Sequence, residues 1–136
     1  MDVWGPAPVQ SYGSVYYLAL VDAYTRFIWI YFLHKKSDAQ LKFKEFQILV
    51  QNKYNTTIQQ VQSDNGGEFL VFKSHLAACG IEHRFTCPHT SEQNGLVERR
   101  HRMIVETGLT LLAHASLSNF YWQDAFATAV FLLNRL

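Results

Sequence analysis

Ile58-Gln59-Gln60-Val61-Gln62-Ser63-Asp64-Asn65-Gly66-Gly67-Glu68 is the stretch on which the reading of the fold turns. Thr56 to Gln62 has the β-branched and polar mixture of a short strand. It runs into an Asp-Asn-Gly-Gly turn, where Gly66 and Gly67 permit tight backbone geometry and the side chains of Asp64 and Asn65 can bond nearby amides. Gly67 to Cys79 then reads as a helix with Gly80 as its C-cap, and Ile81 to Phe85 as another short strand. Strand, acidic turn, helix and strand in that order make a unit of an open α/β sheet. Such sheets collect their reactive groups beyond the carboxyl ends of the strands, and Asp64 stands at one.

Working outward, Asp2-Val3-Trp4 reads as a first short strand ended by Gly5-Pro6. Val15 to Val21 and Arg26 to Leu33 are apolar and aromatic, with Asp22-Ala23-Tyr24-Thr25 between them as a hairpin connection. Both runs are more apolar than simple alternation allows, which predicts strands covered on both faces. Ser37 or Asp38 caps a helix to about Gln51, with Leu41, Phe43, Phe46, Leu49 and Val50 as its apolar stripe. After the loop Thr86 to Ser91, Glu92 to about Ala115 is a long helix. Val97, Ile104 and Leu111 mark its buried face, and Glu98, Arg102, Val105 and Leu109 form a neighbouring stripe. Asn119 to Leu136 is a last helix. Trp29, Phe43, Phe46, Trp122 and Phe126 are expected in the core or at a helix interface. Three leading strands followed by alternation predict an α/β fold, a mixed sheet with helices on both faces.

The bulk numbers suit one domain, 1–136. The chain has 136 residues, 49% of them hydrophobic, so it is too apolar to be disordered. No apolar run approaches the roughly eighteen residues of a membrane span, and no basic segment followed by an apolar core suggests a signal peptide. A formal net charge of +1 neither requires nor excludes a nucleic-acid partner. Cys79 and Cys87 lack metal-ligand spacing and are expected to be reduced and buried. Asp2 directly follows Met1, and Leu136 closes an apolar run without a C-cap glycine, so truncation at both ends of a longer polyprotein is expected.

Asp2, Asp64 and Glu98 each interrupt an apolar or glycine-rich stretch, where an unsolvated carboxylate is costly. Carboxylates gathered on a rigid scaffold commonly grip hard divalent cations such as Mg2+ or Mn2+. Around two such ions they suit phosphoryl transfer, which needs no covalent protein intermediate. The chain holds no GxSxG elbow, P-loop, HExxH or GxGxxG as a competing arrangement.

Three segments make the pattern specific: Asp2-Val3-Trp4-Gly5-Pro6, Ser63-Asp64-Asn65-Gly66-Gly67-Glu68-Phe69 and Gln93-Asn94-Gly95-Leu96-Val97-Glu98-Arg99. Together they resemble the signatures of retroelement integrase catalytic cores, most of all those of Copia-type retrotransposons. The tail Val105 to Leu112 resembles plant members. The acids stand 62 positions (64 − 2) and 34 positions (98 − 64) apart, the second close to the spacing usual in that family. The resemblance implies a ribonuclease H-like three-layer fold with a five-stranded mixed sheet and a D,D,E site. Asp2, Asp64 and Glu98 would be the catalytic, metal-binding residues, with two Mg2+ (or Mn2+) ions in the DNA-bound state. It further implies 3′-end processing and strand transfer of retrotransposon DNA, a double-stranded DNA partner, and a homodimer or higher oligomer. A zinc-binding N-terminal domain and a C-terminal domain belong to such full-length proteins, which act in the nucleus after assembly in cytoplasmic particles.

Candidate DNA contacts are Gln93, Asn94, Arg99, Arg100 and Arg102 on the long helix, His89 before it, and Lys35 and Lys36 after the third strand. Asn65, Gly66, Gly67 and Gly95 are expected to shape the site. This chain carries Ser91 where many relatives have proline, and His101 where asparagine is frequent. Two other residues could imitate catalytic acids. Asp22 is read as a hairpin aspartate and Glu68 as a helix cap. The competing functions are a degenerate or truncated fragment that keeps the fold and binds DNA weakly, an assembly domain using the apolar last helix, and a ribonuclease of the same fold.

Overall fold

A computed structural model describes residues 1–86 and 91–136, the side chains of 91–94 excepted. Strands β1 (Asp2–Trp4), β2 (Tyr16–Val21) and β3 (Ile28–Leu33) form an antiparallel ladder in that order. Helix α1 (Ala39–Tyr54) leads to β4 (Gln60–Ser63). Two short helices, α2 (Gly67–Leu70) and α3 (Phe72–Ala78), return the chain to β5 (Glu82–Phe85), which pairs parallel with β4. The long helix α4 (Ser91–Ala115) and α5 (Trp122–Leu133) complete the chain. The two ladders meet where the Met1 nitrogen donates to the Gln62 carbonyl at 2.7 Å, giving a mixed sheet of three plus two strands.

Strand alternation divides the core into two layers. Leu18, Leu20 and Leu33 face α1, α2 and α3 through Phe43, Phe46, Phe69, Phe72 and Leu76. Tyr17, Ala19 and Ile28 face α4 and α5 through Val97, Ile104, Trp122 and Phe126. Strand β2 is thus covered on both sides, as its unbroken apolar run predicts. Each fully buried Phe or Leu contributes roughly 1.5–3 kcal/mol relative to exposure, so these layers hold the sheet rigid beneath the acids. The same alternation puts Asp2 on the face of Trp4, toward α4, and Val3 on the other.

Several boundaries differ from expectation for local reasons. Strand β3 begins at Ile28 because Arg26 adopts φ 68° and still belongs to the turn. Strand β4 runs over Gln60–Ser63 rather than 56–62, since its partner β5 begins opposite Gln60, at Glu82. The expected helix over 67–79 is two pieces joined at Val71. The expected last helix opens with a 3-10 turn, Asn119–Tyr121, in which the Ser118 hydroxyl accepts from the Phe120 amide. It ends at Leu133, and Asn134 is used elsewhere: its Oδ1 accepts from the Ile28 amide at 2.8 Å and its Nδ2 donates to the Ile28 carbonyl at 2.9 Å. That pair clasps the last helix to β3.

Two further expectations are corrected. The buried line of α4 runs Val97, His101, Ile104, Gly108 and Leu112, while Leu111 is half-buried. A straight helix of 3.6 residues per turn drifts off a strict seven-residue repeat, so the line shifts by one position at its end. Cys79 is exposed, not buried, because it lies at the outer end of α3. Cys87 lies outside the described residues.

Candidate active site

Asp2 comes from β1, where it lies opposite Ala19. Its Oδ1 accepts from the Val3 amide at 2.9 Å. Its Oδ2 lies 3.2 Å from Nε2 of His101, which α4 delivers from its buried line. Nδ1 of the same imidazole is 2.8 Å from the Tyr17 hydroxyl. Tyr17 is fixed in turn by stacking on Trp4 (5.1 Å between centroids) and by the edge of Phe126 (5.9 Å). Burial, and secondarily the Asp2 charge, push the Tyr17 phenol far above its ordinary range, so it keeps its proton. The direction of its hydrogen bond with Nδ1 is set by the imidazole tautomer. The Nε2–Oδ2 contact is close enough for electrostatic attraction but is not aligned as a hydrogen bond.

Asp64 follows β4 and accepts the Gly66 amide on Oδ1 at 2.8 Å, the Asx bond that its turn sequence predicts. Burial pushes the Met1 amine at the junction of the two ladders down to about 6, while the charges of Asp2 and then Asp64 pull the other way. The point where a Cβ on Gly66 would stand is 2.9 Å from Asp64 Oδ1 and 2.9 Å from Glu68 Oε2. A side chain at 66 would require the ends of both flexible acids to shift aside. At Gly67 and Gly95 a Cβ would meet nothing within 4 Å, so close approach does not demand glycine there. Glu68 sits in the first turn of α2, and its Oε1 lies 3.8 Å from Lys36 Nζ.

Glu98 is exposed on α4, one turn before His101. Among the described residues, no three His, Cys, Asp or Glu side chains gather closely enough to hold a metal ion. The structure places Asp2 on β1, Asp64 just beyond β4 and Glu98 on the exposed side of α4. Two hard carboxylates fit a divalent cation in donor chemistry, but a three-carboxylate set is not assembled.

Of the candidate DNA contacts, Arg99, Arg102 and Lys35 are exposed. Arg100 is half-buried, with Nη1 3.8 Å from the Met103 sulfur. Lys36 reaches toward Glu68 and the Tyr16 ring. Asn65 is exposed. His89 and the side chains of Gln93 and Asn94 lie outside the described residues. Asp22 is the turn residue expected: the Thr25 amide and hydroxyl donate to its Oδ2 at 3.0 and 2.6 Å. His101 is the site residue that sequence reading missed. Its signal was present, a histidine three positions after Glu98 on the line of Val97 and Ile104.

A three-plus-two mixed sheet between helical layers, with one aspartate on β1 and another just beyond β4, is consistent with the ribonuclease H-like α/β class. Residues 1–91 match the family described as the integrase core domain, and the chain belongs to it. It is 49% identical over 99% of its length to the retrovirus-related Pol polyprotein from transposon RE2 of Arabidopsis thaliana. It is 35% identical over 98% of its length to that from transposon TNT 1-94 of Nicotiana tabacum. The chain spans 9% and 10% of the lengths of these relatives. Among solved structures it is similar to a simian T-cell lymphotropic virus intasome in complex with PP2A regulatory subunit B56 gamma, with a TM-score of 0.76 at 16% identity, covering 99% of this chain and 47% of that one. It is also similar to the HTLV-2 integrase catalytic core domain in complex with magnesium, with a TM-score of 0.68 at 20% identity, covering 99% and 82%. These structural likenesses speak to fold. The chain is a retroelement integrase core related to plant Copia-type Pol proteins.

Proposed function

We propose that this chain is an integrase core that keeps the fold and binds double-stranded DNA weakly without catalysing strand transfer on its own. The observation that supports this reading is that, among the described residues, no three His, Cys, Asp or Glu side chains gather closely enough to hold a metal ion, with Glu98 exposed on α4. Asp2 and Asp64 would hold a divalent cation between them. When bound, Mg2+ or Mn2+ supplies Lewis-acid stabilisation of charge on phosphorus oxygens. Arg99, Arg102 and Lys35 offer exposed cations to DNA phosphates, with Arg100, Lys36, His89, Gln93 and Asn94 as further candidate contacts. We read residues 1–136 as the catalytic core of a longer polyprotein that acts in the nucleus as an oligomer. The zinc-binding and C-terminal domains of that protein would supply most of the assembly on DNA ends.

The second reading is integration proper, by metal-dependent phosphoryl transfer at Asp2, Asp64 and Glu98. It is favoured by Glu98 lying one turn from the histidine that meets Asp2. One pair of measurements separates the two: salt-dependent DNA binding by fluorescence anisotropy, and nicking or disintegration assays with Mn2+ and Mg2+. Weak binding with no cut product supports the first reading. Cutting by the wild-type chain that disappears in Asp64→Asn establishes the second. Absence of both binding and cutting overturns both.

A further inference from the structure

Strand β3 is the outer strand of its ladder, and among the described residues no strand pairs with its far side. Bonding directions alternate along an antiparallel strand. The Asp22 amide donates to the Phe27 carbonyl, so Phe27 and, by alternation, Trp29, Tyr31 and Leu33 bond toward β2. The amides and carbonyls of Ile28, Ile30 and Phe32 therefore point outward. Asn134 confirms the phase: its side chain meets both outward groups of Ile28, at 2.8 and 2.9 Å, as a residue of a neighbouring strand would. Among the described residues no side chain or strand does the same for Ile30 and Phe32. Open edges are ordinarily blunted by charge, proline or a bulge, because a free row of amides and carbonyls recruits another strand. Ile28-Trp29-Ile30-Tyr31-Phe32-Leu33 has none of these and pairs with β2 in unbroken register. Its flanks are apolar too. On α5, Ala127 and Phe131 share a line with Asn134, and both are exposed. On the other face Trp29 and Tyr31 are half-buried against Phe46 of α1, with exposed Leu49 one turn further along. Glu45, whose charge reaches the Tyr31 phenol, is offset by Lys42 Nζ at 3.0 Å.

We propose that the β3 edge is a self-association surface, on which a second copy of this chain lays its own β3 antiparallel, so that one sheet runs through both molecules. The edge is its own complement. With Ile30 opposite Phe32 of the second copy, a two-fold axis passes by Tyr31, and every outward amide and carbonyl of these two residues finds a partner in both copies. Asn134 selects this register. Centring the axis on Ile30 would drive Phe32 of the second copy onto the place at Ile28 that Asn134 already fills. Centring it on Phe32 would set Ile30 against His34, which lies beyond the end of the strand. In the favoured register the second copy leaves the edge where Asn134 begins. Each copy also brings the same uncharged strand and the same apolar flanks to the other, so no like charges oppose along β3. The pairing is independent of what Asp2, Asp64 and Glu98 do.

Sedimentation velocity of the full chain over a range of concentrations reads the assembly, and amide exchange reads the edge. The expected result is a concentration-dependent dimer in which the Ile30 and Phe32 amides exchange more slowly as the dimer forms. Ile30→Pro removes one outward amide and spares the bonds to β2, a substitution that edge strands tolerate. It should stay monomeric where the wild-type chain is dimeric. Tyr31→Cys, made together with Cys79→Ser and Cys87→Ser, sets two thiols across the axis. A non-hydrogen-bonded antiparallel pair has its Cα atoms about 4.5 Å apart, which a disulfide can span. Mild oxidation should link the two copies, whereas Leu109→Cys on the surface of α4 should not link in the same background. If Ile30→Pro does not fold, the Tyr31→Cys link decides the matter alone. A chain that stays monomeric, leaving the edge to a strand of another protein, overturns the proposal. So does a dimer that forms through helix faces and leaves the Ile30 and Phe32 amides exchanging as in the monomer. Equal linking at 31 and 109, or no link at 31, overturns it as well.

Discussion

Replacing Gly108 with alanine sets helix propensity against packing, and the structure says which wins. Gly108 lies on the buried line of α4 where α5 crosses it. A Cβ there would overlap the Phe126 ring at Cδ1 and stand 2.7 Å from Cε1. The ring has little freedom to withdraw. It is 1% exposed and is boxed by Trp4 at 5.4 Å, Trp122 at 5.3 Å and Tyr17 at 5.9 Å between centroids. Alanine in a helix gains about 1 kcal/mol over glycine. Overpacking a closed core costs roughly 1–3 kcal/mol, and a hemmed aromatic ring belongs at the upper end. The expected net loss is about 2 kcal/mol, or about 6 °C in Tm for a domain of this size. Thermal and denaturant unfolding of Gly108→Ala would measure it. The double variant Gly108→Ala/Phe126→Leu should recover part of the loss, with a coupling of about 1–2 kcal/mol. A Gly108→Ala chain as stable as the wild type, or more so, refutes the reasoning, as does strict additivity in the double variant.

Asn134→Ala removes both bonds that hold the end of α5 to Ile28, leaving a buried strand edge unpaired, and should cost about 1–3 kcal/mol by urea unfolding. The acid limb of the stability profile should carry a contribution from His83. Burial, and then the Met1 ammonium, hold it below its ordinary value of 6.5, and its Nδ1 is buried without a partner. The unfolded chain therefore takes the proton first. The neutral imidazole's contribution is complete above about 6.5 and is lost as pH falls through the lower folded value. His83→Gln should flatten the curve between pH 7 and 5, and an unaltered slope would count against it. Asp22→Ala should loosen its turn by about 0.5–1.5 kcal/mol while leaving Mn2+ affinity unchanged; a lost affinity would mean that Asp22 belongs to the site after all.

What the sequence disclosed about this fold was what short-range chemistry controls. The run Tyr16–Val21 reads as a doubly covered strand because covering both faces removes alternation, and the structure covers both. Asp64 and Gly66 announce a turn, and the amide of Gly66 bonds the carboxylate. Residues 56–59 have strand-like composition yet no strand opposite them, because pairing depends on where β5 begins. The last helix looked continuous because its apolar pattern runs to Leu136, whereas Asn134 serves a tertiary bond that no local pattern encodes. At the site, the placing of Asp2 on the first strand and of Asp64 just after β4 follows from motif order. The exposure of Glu98 follows from how α4 lies against the sheet, which spacing along the chain does not specify.

The two aspartates ride on different ladders, Asp2 on the antiparallel one and Asp64 beyond the end of the parallel one, with Met1 and Gln62 touching at the seam. A carboxylate pair mounted this way straddles that seam. A ligand gripped by both sides would staple the halves together. Its arrival should be felt as slowed amide exchange across the middle of the sheet, away from the outer strands.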